Sequence, residues 1–161
     1  MTESNQDFNQ YSISWSTKHF DALTPRELYA IMQLRINVFM IEQNAVFQDA
    51  DNKDQHCHHL MGFDGDDLVG YARLVPAGVS YPAHISIGRI ISALHVRRQG
   101  LGKMVVQKSI DECARIFGEQ TIVIGAQARL EHFYEGFGFV TTGDVYIEDG
   151  IDHVEMTRYA L

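Results

Sequence analysis

One stretch constrains the fold of this chain more than any other: residues 97–103, which read Arg-Arg-Gln-Gly-Leu-Gly-Lys. The apolar residues of Ile85–Val96 predict a buried strand before it, and residues 106–117 carry apolar side chains at helical spacing after it. Gly100 permits a tight turn between the two, and Gly102 permits a ligand to approach the backbone closely. The free N–H groups at the start of the helix therefore predict a site for an anion, with phosphate the best candidate.

Two common phosphate-binding motifs do not fit this stretch. A Walker loop ending in Gly102-Lys103 would begin at His95 instead of a glycine, and it would need serine or threonine where Met104 stands. A dinucleotide-binding fingerprint would need a third glycine at the position of Val105. The pattern that fits is R-x-x-G-x-G between a strand and a helix. It resembles the pyrophosphate loop of the GNAT superfamily of acyl-CoA-dependent N-acyltransferases.

A second segment, Gln127–Phe139, resembles the GNAT segment in which a short helix ends in Phe-Tyr and a Gly-Phe pair follows. The resemblance implies that Tyr134 lies beside the CoA sulfur and acts as general acid toward the departing thiolate. It also implies that Gln127, where asparagine is more usual, contacts the pantetheine arm. The alternative for Tyr134 is a packing role in an apolar stripe with Leu130, Phe133 and Phe137.

Four separated blocks resemble the ElaA-like branch of that superfamily over roughly residues 13–158. They are L-Y-A-I-M-Q-L-R-I-N-V-F-M-I-E-Q-N from Leu28, I-G-R-I from Ile87, G-A-Q-A-R-L from Gly125 and V-Y-I-E-D-G-I-D-H-V-E-M from Val145. The resemblance implies an N-acetyltransferase that uses acetyl-CoA as co-substrate. A non-catalytic acyl-CoA-binding module of the same fold is the alternative.

The order of predicted elements gives the fold class. Thr24-Pro25-Arg26-Glu27 is a capping box that predicts a helix running to about Met40. We expect strands or hairpins over residues 12–20, 56–63, 68–75, 85–96, 120–126, 139–147 and 151–159, and a short helix over 128–136. This order predicts one α/β domain over residues 12–161, with a mixed sheet covered by helices on both faces, after a flexible segment at 1–11. In the GNAT fold the sheet is mostly antiparallel and two parallel strands splay apart.

The resemblance also implies where CoA lies. It would sit between the strands 85–96 and 120–126, with the backbone around Leu94–Val96 pairing with pantetheine like an extra strand. The implied CoA-binding residues are Leu94, His95, Val96, Arg97, Arg98, Gln99, Gly100, Leu101, Gly102, Lys103, Gln127, Phe133 and Tyr134.

The catalytic base is less explicit. Several GNAT enzymes carry a glutamate at the position that Ile122 occupies here, so another group must serve. Glu42 is the first candidate, because it lies where the first helix meets a polar, acidic loop over residues 42–55 that would face the acceptor. Its alternative role is an ion pair with Arg35. His153 and Asp149 in the final hairpin are the second candidates.

Composition bounds the partners. A net charge of −8 argues against nucleic acid and agrees with a cationic acceptor, either a small-molecule amine or a peptide amine. No apolar run is long enough for a membrane helix, and the polar N-terminus predicts no signal peptide.

Cys57 and Cys113 are interpreted as free thiols of a cytoplasmic protein. Side chains alternate along the strand that carries His56-Cys57-His58-His59, which predicts no metal site. Pairing of the final hairpin across a homodimer is left open.

Overall fold

A computed structural model of the chain describes residues 12–161, so the flexible segment predicted at 1–11 lies outside the described residues. The strands are β1 (Ser14–His19), β2 (His58–Asp64), β3 (Asp67–Val75), β4 (Ser86–Ser92), β5 (Ile122–Gln127), β6 (Val140–Glu148) and β7 (Ile151–Arg158). The α-helices are α1 (Pro25–Arg35), α2 (Leu101–Phe117) and α3 (Glu131–Glu135). A π-helical segment, Ile36–Glu42, continues α1, and 3₁₀ turns occupy Phe20–Ala22, Asp54–His56, Leu94–Val96 and Ala128–Leu130. None of the helices in residues 12–161 combines the length and the apolarity that crossing a bilayer requires.

The start of α1 follows the predicted capping box. The Glu27 N–H donates to Thr24 Oγ1 at 3.1 Å, and the Thr24 N–H donates to Glu27 Oε1 at 2.8 Å. Pro25 occupies the first helical position, where its missing N–H costs nothing. The helix start is therefore set by four consecutive residues and needs no tertiary contact.

The strands form two antiparallel sheets that meet along one parallel contact. The order is β1-β2-β3-β4 in the first sheet and β5-β7-β6 in the second. Ile85 bridges Ile122 in parallel, and the Val123 N–H donates to the Ile85 carbonyl at 3.0 Å. Beyond this join, no further pairing links β4 to β5 within residues 12–161, so the two strands separate toward their carboxyl ends. The predicted fold class, a mostly antiparallel sheet with a splayed parallel pair, is confirmed.

Helices cover both faces of the first sheet. A Cβ added at Gly70 of β3 would lie 3.0 Å from Val105 Cγ2, so α2 packs almost directly on the strand backbone. On the opposite face, Arg35 of α1 is wholly buried and reaches Arg73 of β3 through Asp54. The second sheet ends at β6, which is exposed along its whole length. A homodimer through this hairpin stays a prediction.

Candidate active site

The open cleft between β4 and β5 is bordered by a bulge in β4. Tyr71 of β3 pairs with Ile91, but Arg73 pairs with Gly88, so two residues of β4 oppose the one residue between them on β3. Arg89 lies inside this bulge at φ +51°, the left-handed region that side chains other than glycine rarely adopt. Bulges bend a strand and re-aim its backbone groups, and they are common beside active sites. The edge of β4 that faces β5 therefore has backbone groups turned toward the cleft.

Ion pairs to a loop hold the bulge in place. Arg89 Nε donates to Asp49 Oδ1 at 2.7 Å, and the guanidinium lies 5.9 Å from the ring centres of both Phe39 and Phe47. Asp49 is itself buried and accepts a second hydrogen bond from Arg35 Nε at 2.8 Å. These contacts offset the free-energy cost of the left-handed backbone at Arg89.

Two further aspartates of the same loop bind buried arginines. Asp54 accepts from Arg35 Nη1 at 2.6 Å and from Arg73 Nη1 at 3.0 Å. Asp51 accepts from Arg73 Nη1 at 2.8 Å and from Arg73 Nη2 at 3.0 Å. Burial acts to raise the pKa of Asp51, but the hydrogen bonds and charge of Arg73 outweigh it and lower that pKa to about 2. Arg35 therefore pairs with the loop aspartates, and the alternative that pairs it with Glu42 is wrong.

The glycine turn leads into α2 as the spacing predicts. Gly100 is the N-terminal cap at φ +85°, and no side chain within the described residues caps this helix end. The N–H groups of Leu101, Gly102 and Lys103 are consequently free at the positive end of a 17-residue helix. The exposed side chains of the turn are Arg98, Gln99 and Lys103, whereas Leu101 is buried and can offer a ligand only its backbone. This is the geometry of an anion site.

The strand before the turn is shorter than predicted. β4 ends at Ser92, and Leu94–Val96 form a 3₁₀ turn instead of an extension of the strand. The Val96 N–H donates to the Ala93 carbonyl at 3.1 Å, and the Arg97 N–H donates to the Leu94 carbonyl at 3.3 Å. Those two donors are used within the turn, so the expectation that this backbone pairs with pantetheine as an extra strand is wrong for Val96. The Val96 side chain is buried and anchors the turn, whereas Leu94 and His95 are exposed.

Arg97 joins the turn to the end of the first helical segment. Both of its terminal nitrogens donate to the carboxylate of Glu42, Nη2 at 2.9 Å, and its Nε donates to the Ser92 carbonyl at 3.0 Å. Both side chains of the pair are about one-third exposed. The structure thus brings the predicted base into contact with a predicted CoA-binding residue 55 positions away. The role of Glu42 as a base stays a prediction.

Tyr134 lies at the end of α3 with only 6% of its surface exposed. Its ring packs edge-on against Phe133 at 5.2 Å and Phe139 at 6.0 Å between ring centres. Its hydroxyl makes no hydrogen bond to any described residue, and burial raises its pKa to about 12 against an opposing effect of the Arg129 charge. Arg129 is in turn held by Gln127, whose Oε1 accepts from Arg129 Nε at 3.1 Å. The ring of Tyr134 is therefore packed against other aromatic rings, while its hydroxyl has no hydrogen-bond partner among the described residues.

His153 lies on β7 directly opposite Gln127, the last residue of β5. Its Nδ1 lies 2.7 Å from the Ile151 carbonyl, so Nδ1 carries the proton and donates it. Its ring stacks on Tyr146 at 5.7 Å between centres, and its Nε2 lies 3.8 Å from Glu148 Oε2. The other second-choice base, Asp149, is exposed in the turn between β6 and β7.

The comparisons with known proteins agree with this geometry. Residues 28–160 match the family model described as an acetyltransferase (GNAT) domain. The chain belongs to the GNAT acetyltransferase family. It is 36% identical over 148 residues to protein ElaA of Escherichia coli K12, which covers 91% of this chain and 96% of ElaA. The resemblance to the ElaA-like branch is therefore confirmed.

Solved GNAT structures superpose on this chain over most of its length. The crystal structure of E. coli ElaA superposes with a TM-score of 0.85 at 36% identity, covering 91% of this chain and 99% of that one. An acyl-CoA N-acyltransferase from Pseudomonas aeruginosa superposes at 0.87 with 37% identity over the same shares. An aminoglycoside 6'-N-acetyltransferase complexed with coenzyme A shares the fold alone, at a TM-score of 0.67 and 16% identity over 91% of this chain and 97% of that one.

Two residues of the histidine-rich segment, Cys57 and His59, are buried and hydrogen-bonded. His59 is buried, with Nδ1 2.7 Å from the Tyr71 hydroxyl and Nε2 3.0 Å from the Asp54 carbonyl. Cys57 is buried too and donates from Sγ to the Lys53 carbonyl at 3.1 Å. Within residues 12–161, no three histidine, cysteine or acidic side chains group as metal ligands.

Sequence reasoning did not single out three residues whose side chains meet over the outer face of the second sheet: Tyr81, Tyr146 and Glu155. Glu155 lies directly opposite Gly125 of β5, beside the cleft, and Tyr146 and Tyr81 have their hydroxyls over the same glycine. A signal existed for Glu155, because alternation along β7 puts it on the same face as the predicted His153. Tyr81 lies in the loop between β3 and β4, and its position depends entirely on tertiary structure.

Proposed function

We propose that this GNAT protein transfers an acetyl or short acyl group from acetyl-CoA to a primary amine of a small molecule or peptide. The observation that carries the proposal is the uncapped start of α2, flanked by Arg98 and Lys103 and placed at the end of the open cleft between β4 and β5. An anionic pyrophosphate suits the free N–H groups and the helix dipole. The unpaired edge of β4 suits an extended pantetheine arm, which would add hydrogen bonds along the strand.

The bulge of β4 would polarise the thioester. In acyl transfer the carbonyl oxygen gains negative charge in the transition state, and a fixed N–H donor stabilises that charge. The backbone beside Arg89 is held by buried ion pairs, so a donor there needs no reorganisation when the charge develops. One such donor contributes on the order of 3 kcal/mol to lowering the barrier.

We assign to Tyr134 the protonation of the departing thiolate. Its hydroxyl has no partner among the described residues and is therefore available to donate to the sulfur. A pKa of about 12 makes Tyr134 a weak acid. The same apolar surroundings also raise the pKa of the departing thiol, so they do not widen the difference between the two pKa values. The positive charge of Arg129 acts to lower the pKa of Tyr134.

Replacing Tyr134 with phenylalanine tests this assignment, because it deletes the hydroxyl and keeps the packing surface. We expect kcat to fall about 10²- to 10⁴-fold, while CoA affinity measured by calorimetry and the thermal midpoint stay near their wild-type values. Tyr29→Phe is the matched control, since that ring is exposed on α1 and lies in no part of the proposed site. Turnover within about twofold of wild type would leave Tyr134 with a packing role only.

A second candidate function is an acyl-CoA-binding module without turnover. The observation in its favour is Ile122, a buried isoleucine where several GNAT enzymes carry a glutamate. Binding of acetyl-CoA without transfer to any amine of a broad panel would support this candidate against the first. For either function we propose a cytoplasmic location, which the two buried, unpaired thiols of Cys57 and Cys113 support.

A further inference from the structure

The outer face of the second sheet carries a pocket beside the cleft. Val154 and Met156 of β7 point into the core, so the alternating residues His153, Glu155 and Thr157 point to the other face. A pocket of about 310 Å³ opens there. Its lining includes Tyr81, His84, Thr142, Glu155, Thr157 and Tyr159.

Two tyrosine hydroxyls converge on the strand that borders the cleft. A Cβ built at Gly125 would lie 2.5 Å from the Tyr146 hydroxyl oxygen and 3.8 Å from the Tyr81 hydroxyl oxygen. Only glycine leaves room for the Tyr146 hydroxyl so close to β5. Gly125 lies three residues beyond the join at Ile122, on the part of β5 that has separated from β4. The hydroxyls therefore lie where the outer face meets the cleft.

Glu155 completes this group with a negative charge. It pairs with Gly125 in the register of β5 and β7, and side chains opposite each other in such a pair lie roughly 5 Å apart on the same face. Its Oε1 accepts a 3.3 Å hydrogen bond from Thr142, and no lysine or arginine within residues 12–161 forms an ion pair with it. Burial is the main reason that the pKa of Tyr81 is raised to about 12, and the nearby Tyr146 and Glu155 raise it further. Tyr81 therefore stays neutral at pH 7.

An ammonium group matches these three side chains. It carries three N–H donors and no acceptor, so it needs three acceptors when it leaves water. One carboxylate and two hydroxyl oxygens supply that number, and the carboxylate also neutralises the charge. A carboxylate substrate would be repelled by Glu155, and a neutral alcohol would gain no charge-assisted hydrogen bond there.

We propose that Glu155, Tyr81 and Tyr146 form the acceptor site, and that they bind the ammonium group of a small primary amine on the outer face of β5 and β7. This inference rests on the proposed function and names the residues that select its acceptor. The ammonium passes one proton to the Glu155 carboxylate, and the free amine attacks the thioester carbon. The C–N bond forms, the C–S bond breaks, and the sulfur takes a proton from Tyr134. The second proton lost by the nitrogen restores Tyr134, and Glu155 releases its proton to water.

The decisive variant is Glu155→Gln, which keeps the shape of the side chain and removes its charge. Glu119→Gln is the matched control, because Glu119 is exposed between α2 and β5. The probe is 1,4-diaminobutane, titrated by NMR into the full chain saturated with CoA, with the neutral isostere 1,4-butanediol as its counterpart. We expect Glu155→Gln to weaken diamine binding about 10- to 100-fold and to leave CoA binding and diol binding unchanged. Tyr81→Phe and Tyr146→Phe should each weaken it by a smaller factor.

Kinetics give an independent readout. With a working amine, Glu155→Gln should raise KM for the amine, lower kcat because the proton acceptor is lost, and leave KM for acetyl-CoA unchanged. Equal diamine affinity in wild type and Glu155→Gln would overturn the inference, as would equal affinity of the wild type for diamine and diol. Failure of the proposed function has a different signature: acetyl-CoA binds and the diamine binds through Glu155, but no acyl transfer occurs with any amine.

Discussion

The loop over residues 43–57 is attached to the sheet by charge, and Asp51→Asn tests how much this contributes. The Asp51 side chain is 23% exposed and accepts two hydrogen bonds from Arg73, at 2.8 and 3.0 Å. Against an ordinary value near 4, its pKa of about 2 corresponds to about 2 kcal/mol of folding free energy at neutral pH. Asparagine keeps the shape and one acceptor oxygen but loses the charge.

The expected result is a loss of about 2 kcal/mol at pH 7, which lowers the thermal midpoint by about 4–8 °C for a chain of this size. The pKa of Asp51 is lower in the folded state, so its contribution is complete above the unfolded pKa and is lost as pH falls toward the folded pKa. The difference between wild type and Asp51→Asn should therefore shrink to about half by pH 3. Wild type must lose stability faster than the variant over this range.

Urea unfolding followed by circular dichroism at pH 7, 5, 4 and 3 measures both quantities. Asp66→Asn is the control, since Asp66 is exposed in the β2–β3 turn and forms no ion pair with any described residue. A difference below about 0.5 kcal/mol at pH 7, typical of a surface substitution, would refute the claim that this ion pair stabilises the loop. A difference that stays constant down to pH 3 would refute the assignment of the effect to the charge of Asp51.

Two further predictions concern the start of α2, where we propose that CoA binds. Gly102→Val should fold normally, because a Cβ at this position would meet only Ser92 Oγ at 3.9 Å. It should weaken CoA binding more than tenfold, as measured by calorimetry. Unchanged affinity would rule out pyrophosphate binding at this turn. Glu42→Gln should change the free energy of unfolding by less than about 1 kcal/mol, as expected for a partly exposed ion pair. It should lower the affinity for CoA several-fold, because Arg97 loses the carboxylate that holds it in position. A fall in kcat with loss of the acidic limb of the pH–rate profile would instead identify Glu42 as the base.

Local patterns were sufficient for the elements that build the site. The capping box at Thr24 and the glycine at residue 100 act within four residues of themselves, so their effect on the chain does not depend on what packs against it. The same holds for the order of strands and helices, because alternation and helical spacing report which face of a segment is buried. The glycine turn into α2 was predictable for this reason.

Contacts between distant segments were not predictable. Arg35 and Glu42 are about two helical turns apart, in a block that suggests an ion pair. Yet Arg35 binds Asp49 and Asp54, while Glu42 binds Arg97. The bulge at Arg89 had no signal of its own, because its left-handed backbone is held by a loop 40 residues earlier. Local spacing cannot rank partners whose proximity is set by how strands pair.

The proposed anion site could be predicted from the sequence, because a helix that begins directly after Gly100 leaves its first N–H groups without partners in any packing that does not cover them. The residues of the proposed acceptor site could be identified only from the folded structure. Tyr81, Tyr146 and Glu155 come from a loop and two strands as much as 74 residues apart, and they meet because β7 pairs between β5 and β6 while the loop after β3 folds over Gly125. A site assembled from side chains of separate strands exists only once those strands have their register.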